Sequence, residues 1–302
     1  MVGIAIINYK TYQKTLECIE SIRKTTNLPY KIYLLDNGSG NESAEILSHA
    51  FQDSSDVECI ISEENHGYAR GNNICIQRMR TDGCDIGIIS NNDIICDLYS
   101  IDTLVQDMKN NPNYILIGPK IVDPNGKFQK SIKKKEYGRV EYLHKSTYLS
   151  NFHKKAIQKE INEASRISEL ESVSWVSGAF FIFDIAKMEQ IGDFDPATFL
   201  FFEEYILGSK SKRKNFLLGY DPRVKVFHYH AFSTGGGVNI VSKIAADRSE
   251  QYFFKHYTDV SKLFLFILRM IRLFEVLFTF GKKKDIESIK KYLDERKLPL
   301  SQ

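Results

Sequence analysis

The 302-residue sequence is poor in the features that usually assign a chain at once. Its five cysteines, Cys18, Cys59, Cys75, Cys84 and Cys96, form no C-x-x-C pair and no cysteine–histidine cluster at zinc spacing. Their odd number and apolar surroundings argue for reduced core thiols of a cytosolic protein, and against a disulfide scaffold. Charge of one sign is also scarce. Lys and Arg total 41 against 38 Asp and Glu, a net charge of +3, so no global field points to nucleic acid. The first residues, MVGIAIINYK, lack the basic start and long apolar stretch of a secretion signal and read as a strand. The most apolar stretch, 262–284, is too short and too charged for a secure membrane span. Internal repeats and low-complexity linkers are absent.

What is present is ordinary globular material, 43% hydrophobic and 12% aromatic, enough to fill a sizeable core. In the first half, short β-like runs alternate with helix-like ones. Strands are expected at 3–9, 30–39, 57–62 and 84–90, with helices at 12–26, 41–51, 67–80 and 100–110. The alternation predicts an α/β fold with a mainly parallel sheet, in which ligands bind beyond the carboxyl ends of the strands. Three of the four strands end in polar clusters: Asp36-Asn37-Gly38-Ser39, Glu63 to Gly67, and Asn91-Asn92-Asp93. Asp, Asn and Gly are good turn residues in any protein, but three such clusters would face one crevice.

The second half is less regular. The Pro-Asn-Gly of 124–126 marks a tight hairpin. Residues 130–172 are the most basic stretch, with Lys130, Lys133, Lys134, Lys135, Lys145, Lys154, Lys155 and Lys159 among Tyr137, Tyr142 and Tyr148. They are either a solvated helix and loop or an insertion touching an anionic acceptor or membrane surface. Adjacent carboxylates, Glu203 and Glu204, follow an aromatic run, and His228 and His230 end a late strand. On a helical wheel of 262–284, Lys262, Arg269, Arg272 and Glu275 fall on one side and Phe264, Ile267, Leu268, Ile271, Phe274 and Phe278 on the other. This amphipathic helix either packs on the domain or a partner chain, or lies in a membrane interface.

Taken in order, Asn8-Tyr9, DNGS (36–39), ENHGYARGNN (64–73), NND (91–93), SGAFFIF (177–183), IGDFDPATFLFFEEYIL (191–207) and HYHAFS (228–233) resemble the family 2 glycosyltransferases. The likeness is to the bacterial rhamnosyltransferase-like branch of polysaccharide and capsule assembly. Each motif alone is weak, and seven in order are strong. The resemblance implies the GT-A nucleotide-sugar-binding fold over 1–235, with 130–172 on the acceptor side and a helical extension over 236–302. It implies an inverting transfer from a UDP- or dTDP-sugar to a glycan or lipid-linked acceptor, with Mn2+ or Mg2+ as cofactor.

The roles implied by the resemblance are these. Asn8, Tyr9 and Asp36 would line the nucleotide pocket. Asn65, Gly67, Arg70, Gly71 and Asn72 would approach the diphosphate at a helix start, with Asn92 and Gly178 also on the donor side. Asp93 would bind the metal, joined by His228 or His230, of which His228 is favoured. Asn91 stands where relatives often carry an acid, so Asp93 is the one carboxylate of its motif. Glu204 would be the general base, and Glu203 would orient the acceptor or the base. Ile206 replaces a further Asp of many relatives and is read as a subtype. A cytoplasmic enzyme is expected, with peripheral membrane contact or a homodimer through the C-terminal helix left open. The rival from another class is a non-catalytic nucleotide-sugar-binding or scaffold subunit. A nucleotidyltransferase would need a glycine-rich basic loop after the first strand, which NYKTYQ is not.

Overall fold

The computed structural model describes residues 1–129, 131–134, 139, 142–143, 151–229 and 240–295. His230, Lys130, Lys135, Tyr137, Lys145 and Tyr148 lie outside the described residues, as does the Lys154 side chain.

The first half forms β1 (Val2–Asn8), α1 (Tyr12–Thr25), β2 (Tyr30–Asn37), α2 (Ser43–Phe51), β3 (Val57–Ser62), α3 (Gly67–Thr81), β4 (Ile86–Asn91), β5 (Ile94–Cys96) and α4 (Ser100–Asn110). The second half follows with β6 (Tyr114–Val122), β7 (Ile132–Lys133), α5 (Asn151–Ala164), β8 (Glu171–Val173), β9 (Trp175–Val176), β10 (Phe180–Asp184), α6 (Ile185–Gln190), α7 (Glu203–Arg213) and β11 (Leu217–His228). Three helices close the chain: α8 (Ile240–Tyr257), α9 (Lys262–Lys282) and α10 (Ile286–Glu295).

The main sheet runs β3-β2-β1-β4-β10-β6-β11-β5, with β8 added against β11. Its side chains alternate between two buried clusters. Ile4, Ile6, Ile88 and Ile182 meet α1, α2 and α4 on one face. Ala5, Tyr33, Ile89 and Phe183 meet α3, α6 and α7 on the other. A strand buried on both faces can be apolar at successive positions, as Ile88-Ile89 and Phe180 to Phe183 are. Each such side chain contributes about 1.5–3 kcal/mol.

The expected parallel character holds through β3-β2-β1-β4. Beyond β4 the sheet is mixed: β10 is antiparallel to both β4 and β6, and β5 is antiparallel to β11. Apolar composition reports burial and carries no direction, so these reversals were invisible in the residues. Their effect is local and specific. An antiparallel strand brings its first residues to the carboxyl edge of the parallel set, where Asn91 N–H donates to the Ala179 carbonyl at 2.8 Å.

The C-terminal helices depart from the wheel drawn for them. Arg272 and Glu275 are buried, at 2% and 3% exposure, whereas Phe274 and Phe278 are exposed. The reason lies on α8. Arg272 holds Glu250 at 2.6 Å and Glu275 at 3.0 Å, and Lys243 holds Asp247 at 2.8 Å. Tyr142 and Tyr292 donate to Glu250 and Asp247 at 2.5 and 2.6 Å. Buried charges are tolerated only with such partners, and the partners are not visible from α9 alone. The basic stretch is also partly turned inward. Lys133 is buried with its ammonium 2.7 Å from the Tyr205 hydroxyl, and Lys134 pairs with Glu171.

Candidate active site

Four strand ends meet at one edge of the sheet and bring most of the expected residues into two adjoining clusters. The first is a network of amides and hydroxyls. Asn8 is fully buried, and its amide nitrogen donates to Asp36 at 2.7 Å and to Ser39 at 3.2 Å. Its carbonyl oxygen accepts from Thr15 at 2.8 Å and from Asn92 at 3.4 Å. Asn92 also donates to the Thr11 and Thr15 hydroxyls at 2.8 and 2.9 Å. Asp36 accepts from the Ser39 hydroxyl at 2.7 Å. The network ties β1, β2 and the β4–β5 turn to the start of α1. A buried polar group left without such partners costs about 1–3 kcal/mol.

Asn92 and Asp93 form the two-residue turn between β4 and β5. β5 then returns against the end of β11, with Ile94 opposite His228. That register sets Asp93 Oδ1 3.1 Å from His228 Nε2, both side chains less than a tenth exposed. Gln129 secures the histidine twice, through its ring Nδ1 at 3.1 Å and its carbonyl at 2.9 Å. Among the described residues no group of three or more His, Cys, Asp or Glu side chains converges on a metal position. The donor set nevertheless fits a hard divalent cation that takes its other ligands from phosphate oxygens and water. A glutamine on the far nitrogen is the kind of support that fixes a ligating imidazole. Gln129 was not singled out in the sequence, where it is one polar residue after a hairpin.

The second cluster is acidic. Glu203 and Glu204 open α7, directly after Phe201 and Phe202, both with left-handed backbone at φ +72° and +69°. Left-handed geometry costs an ordinary L-residue about 1–2 kcal/mol. Packing sustains it here: Phe202 stacks on Tyr205 at 5.0 Å, and Ser249 of α8 donates to the Leu200 carbonyl at 2.9 Å. Glu203 is sealed in, with one carboxylate oxygen lacking a hydrogen bond. Glu204 is partly accessible and accepts from the Gly178 N–H at 2.9 Å. Burial pushes the Glu203 carboxyl well above the usual range, and the adjacent Glu204 charge adds to this. Burial also raises Glu204, while the Gly178 N–H and its own backbone N–H oppose the rise.

Tyr68 completes this corner, donating to the Gly178 carbonyl at 2.6 Å. A Cβ on Gly178 would stand 2.7 Å from the Glu204 carboxylate and 2.8 Å from the Tyr68 hydroxyl, so only glycine fits without moving them. Tyr68 was also passed over in the sequence, where it reads as one more aromatic in a helix.

The glycine-rich segment of α3 is placed differently from a free phosphate cradle. Gly67 has φ +72°, and a side chain there would meet the Phe199 carbonyl at 2.2 Å. The first free amide of the helix, that of Tyr68, donates to the same carbonyl at 2.8 Å. Asn65 accepts from the Gly67 N–H at 2.8 Å and so shapes the turn. Gly71 packs against Ile7 and Leu35, and Asn72 is buried and donates back to the Tyr68 carbonyl at 3.0 Å. Arg70 is exposed and donates to the Pro196 carbonyl at 2.8 Å. These residues bind the 64–73 segment to the loop before Glu203. Tyr9 is partly exposed beside Lys10, whose ammonium lies 5.0 Å from its ring.

The ordered strand ends and the paired carboxylates now stand beside a direct comparison. Residues 3–185 match the model of Glycosyl transferase family 2. The chain belongs to that family. The matched residues include Asn8, Asp36, Asp93 and Gly178 and stop short of Glu203, Glu204 and His228. The chain is 26% identical over 247 residues to the N-acetylglucosaminyl-diphospho-decaprenol L-rhamnosyltransferase of Mycobacterium tuberculosis, covering 78% of each protein. It is 22% identical to a low-salt glycan biosynthesis hexosyltransferase of Haloferax volcanii, over 75% of this chain and 66% of that one. In structure it resembles GalNAc-T7, solved with UDP, GalNAc and Mn2+, at a TM-score of 0.60 and 14% identity. That match takes in 90% of this chain and 54% of the other, so the glycosyltransferase spans about half the length of that structure, and the likeness is one of fold. The family 2 protein is a glycosyltransferase of glycan biosynthesis with a mixed α/β, GT-A-like fold and a C-terminal helical region.

Proposed function

We propose that the enzyme is an inverting transferase that moves a sugar from a UDP- or dTDP-sugar to a glycan or lipid-linked acceptor in surface polysaccharide synthesis. One observation carries the reading: Glu204 is partly open, has a raised proton affinity, and is held by Gly178, next to the Ala179 carbonyl that accepts from Asn91. An acceptor alcohol ionises far above neutrality and needs a base at the moment of attack. Glu204 takes that proton as the acceptor oxygen forms its bond to the anomeric carbon, and the bond from that carbon to the diphosphate breaks on the opposite face. Burial is what keeps the proton affinity of Glu204 high, and Glu203, sealed in beside it, does not itself reach the acceptor.

Asp93 and His228 would hold Mn2+ or Mg2+, which supplies positive charge against the departing diphosphate. The buried Asn8–Asp36–Asn92 network keeps the β1, β2 and β4 ends in register, so that the Asp36 turn and Tyr9 can present the nucleotide. The names of the relatives support the reading, since one is a rhamnosyltransferase acting on a diphospho-decaprenol substrate and the structural neighbour holds UDP and Mn2+. Residues 1–235 are taken as the transferase unit, with 130–172 toward the acceptor and 236–302 as its helical extension. The rival reading, a scaffold that binds donor without turnover, draws on Asn91 in place of a carboxylate.

A thermal-shift screen of UDP-, dTDP- and GDP-sugars with and without Mn2+ tests the proposal, followed by an assay for slow donor hydrolysis. A ligand at a hundred times its dissociation constant stabilises by about 2.7 kcal/mol, which such a screen resolves. Metal-dependent stabilisation with hydrolysis is expected. Stabilisation without hydrolysis would favour the scaffold, and no stabilisation by any nucleotide sugar would overturn both.

A further inference from the structure

The inward turn of Arg272 and Glu275 leaves α9 with an unusual outer face. Leu263, Phe266, Met270, Phe274, Leu277 and Phe278 are all exposed, between 38% and 66%. At 100° per residue they fall within roughly a third of the helix circumference. They form one stripe running almost the length of a 21-residue helix. Scattered exposed apolar side chains are normal, but a contiguous stripe is not, and it marks a surface that meets something other than water. No helix among the described residues is long and apolar enough to cross a membrane.

The charges at the ends of the stripe select its occupant. Exposed Lys262 stands at the start of α9, and exposed Lys282, Lys283 and Lys284 stand at its end. On α10 exposed Lys290 and Lys291 are offset by exposed Glu287 and Asp294, so the excess positive charge rests on Lys282, Lys283 and Lys284. The single acid of α9, Glu275, is buried against Arg272 and Lys243. A second copy docked stripe to stripe would set lysines against lysines in either direction. Parallel helices would bring the two 282–284 clusters together, and antiparallel helices would bring each against the other's Lys262. An anionic lipid surface instead accepts the apolar stripe below its head groups and the lysines among them.

We infer that α9 is an in-plane docking helix for an anionic lipid surface, its apolar face inserted and its charged face bolted to α8. This inference stands apart from the donor chemistry, since it uses none of the residues of the two clusters. The ion-paired inner face gives the outer face a rigid mount: Arg272 and Glu275 fix the rotation of the helix about its axis, so that the stripe points away from the domain.

The test is co-flotation of the full chain with vesicles of phosphatidylcholine alone and of phosphatidylcholine with phosphatidylglycerol. Wild-type protein is expected to float with the anionic vesicles, and less so as salt is raised. Two variants separate the contributions. Phe266→Asp with Phe274→Asp puts charge into the stripe and should lower partition at least about tenfold. Lys282→Gln, Lys283→Gln and Lys284→Gln together should lower it roughly fivefold per lysine, about a hundredfold in all. All five positions are exposed, and an unchanged near-ultraviolet circular dichroism spectrum confirms that each variant is folded. Wild type that fails to float with anionic vesicles, or variants that float as well as wild type, would overturn the inference. So would a wild-type dimer in sedimentation that the phenylalanine variant dissociates in the absence of any vesicle binding, since the occupant would then be a second copy.

Discussion

The two clusters at the sheet edge are built on opposite principles. Around Asn8 each side chain answers another: its amide and its carbonyl are both engaged, and Asp36, Ser39, Thr15 and Asn92 close the ring. Around Glu204 the arrangement is held short of balance. Glu203 keeps an unbonded buried oxygen, two phenylalanines carry left-handed backbone, and two carboxyls share one apolar corner. A satisfied network fixes shape and gives up reactivity, whereas a strained and desolvated carboxylate retains an appetite for a proton. In the proposed mechanism the amides are scaffold and Glu204 alone accepts the proton.

The largest expected effect breaks the acidic side. Glu204→Gln should lower kcat by about 10²–10⁴-fold, the usual weight of a general base, while calorimetry finds donor binding intact. Retained turnover would remove Glu204 from its role. Gly178→Ala sharpens the same point without replacing a titratable group. The added methyl would displace Glu204 and Tyr68, and a misplacement of about 1 Å can cost on the order of a hundredfold in kcat. Steady-state kinetics should show kcat falling while the thermal midpoint changes little.

Asn8→Ala attacks the satisfied side, and its cost should appear in stability. Asp36 and Thr15 would each lose a buried partner, for a loss of about 1–3 kcal/mol in denaturant unfolding. An unchanged midpoint would show that the network is ornamental. The smallest effect is expected from Glu203→Gln. The folded Glu203 carboxyl titrates above its unfolded value, so its contribution to stability is full below the ordinary carboxylate range. That contribution is lost as pH rises through the raised folded value. Unfolding curves of wild type and variant should therefore diverge with rising pH, the variant gaining, and parallel curves would contradict the assigned burial.

Much of this was legible in the residues. The strand expected at 57–62 and the helix at 100–110 coincide with β3 and α4, because turn residues bound both and their apolar spacing is clean. The proximity of Asp93 to His228 followed from the family resemblance, and the fold produces it through the β5–β11 register. Three things were not legible. The antiparallel direction of β10 leaves no trace in a run of apolar residues. The participation of Tyr68 and Gln129 depends on partners 110 and 99 positions away. The wheel of α9 groups Arg272 and Glu275 with the exposed Lys262 and Arg269, whereas α8 supplies buried partners for Arg272 and Glu275 that lie outside the helix's own sequence.

The most direct test of the division between scaffold and base is the pH–rate profile of donor hydrolysis, in wild type and in Glu204→Gln, between about pH 4 and pH 9. Since the base works only when ionised, the wild-type rate should fall as pH falls. Because burial raises Glu204, the midpoint of that fall should lie above the ordinary carboxylate range, and the variant should lack this limb. A midpoint at or below the ordinary carboxylate value, or the same limb in both proteins, would place proton transfer elsewhere.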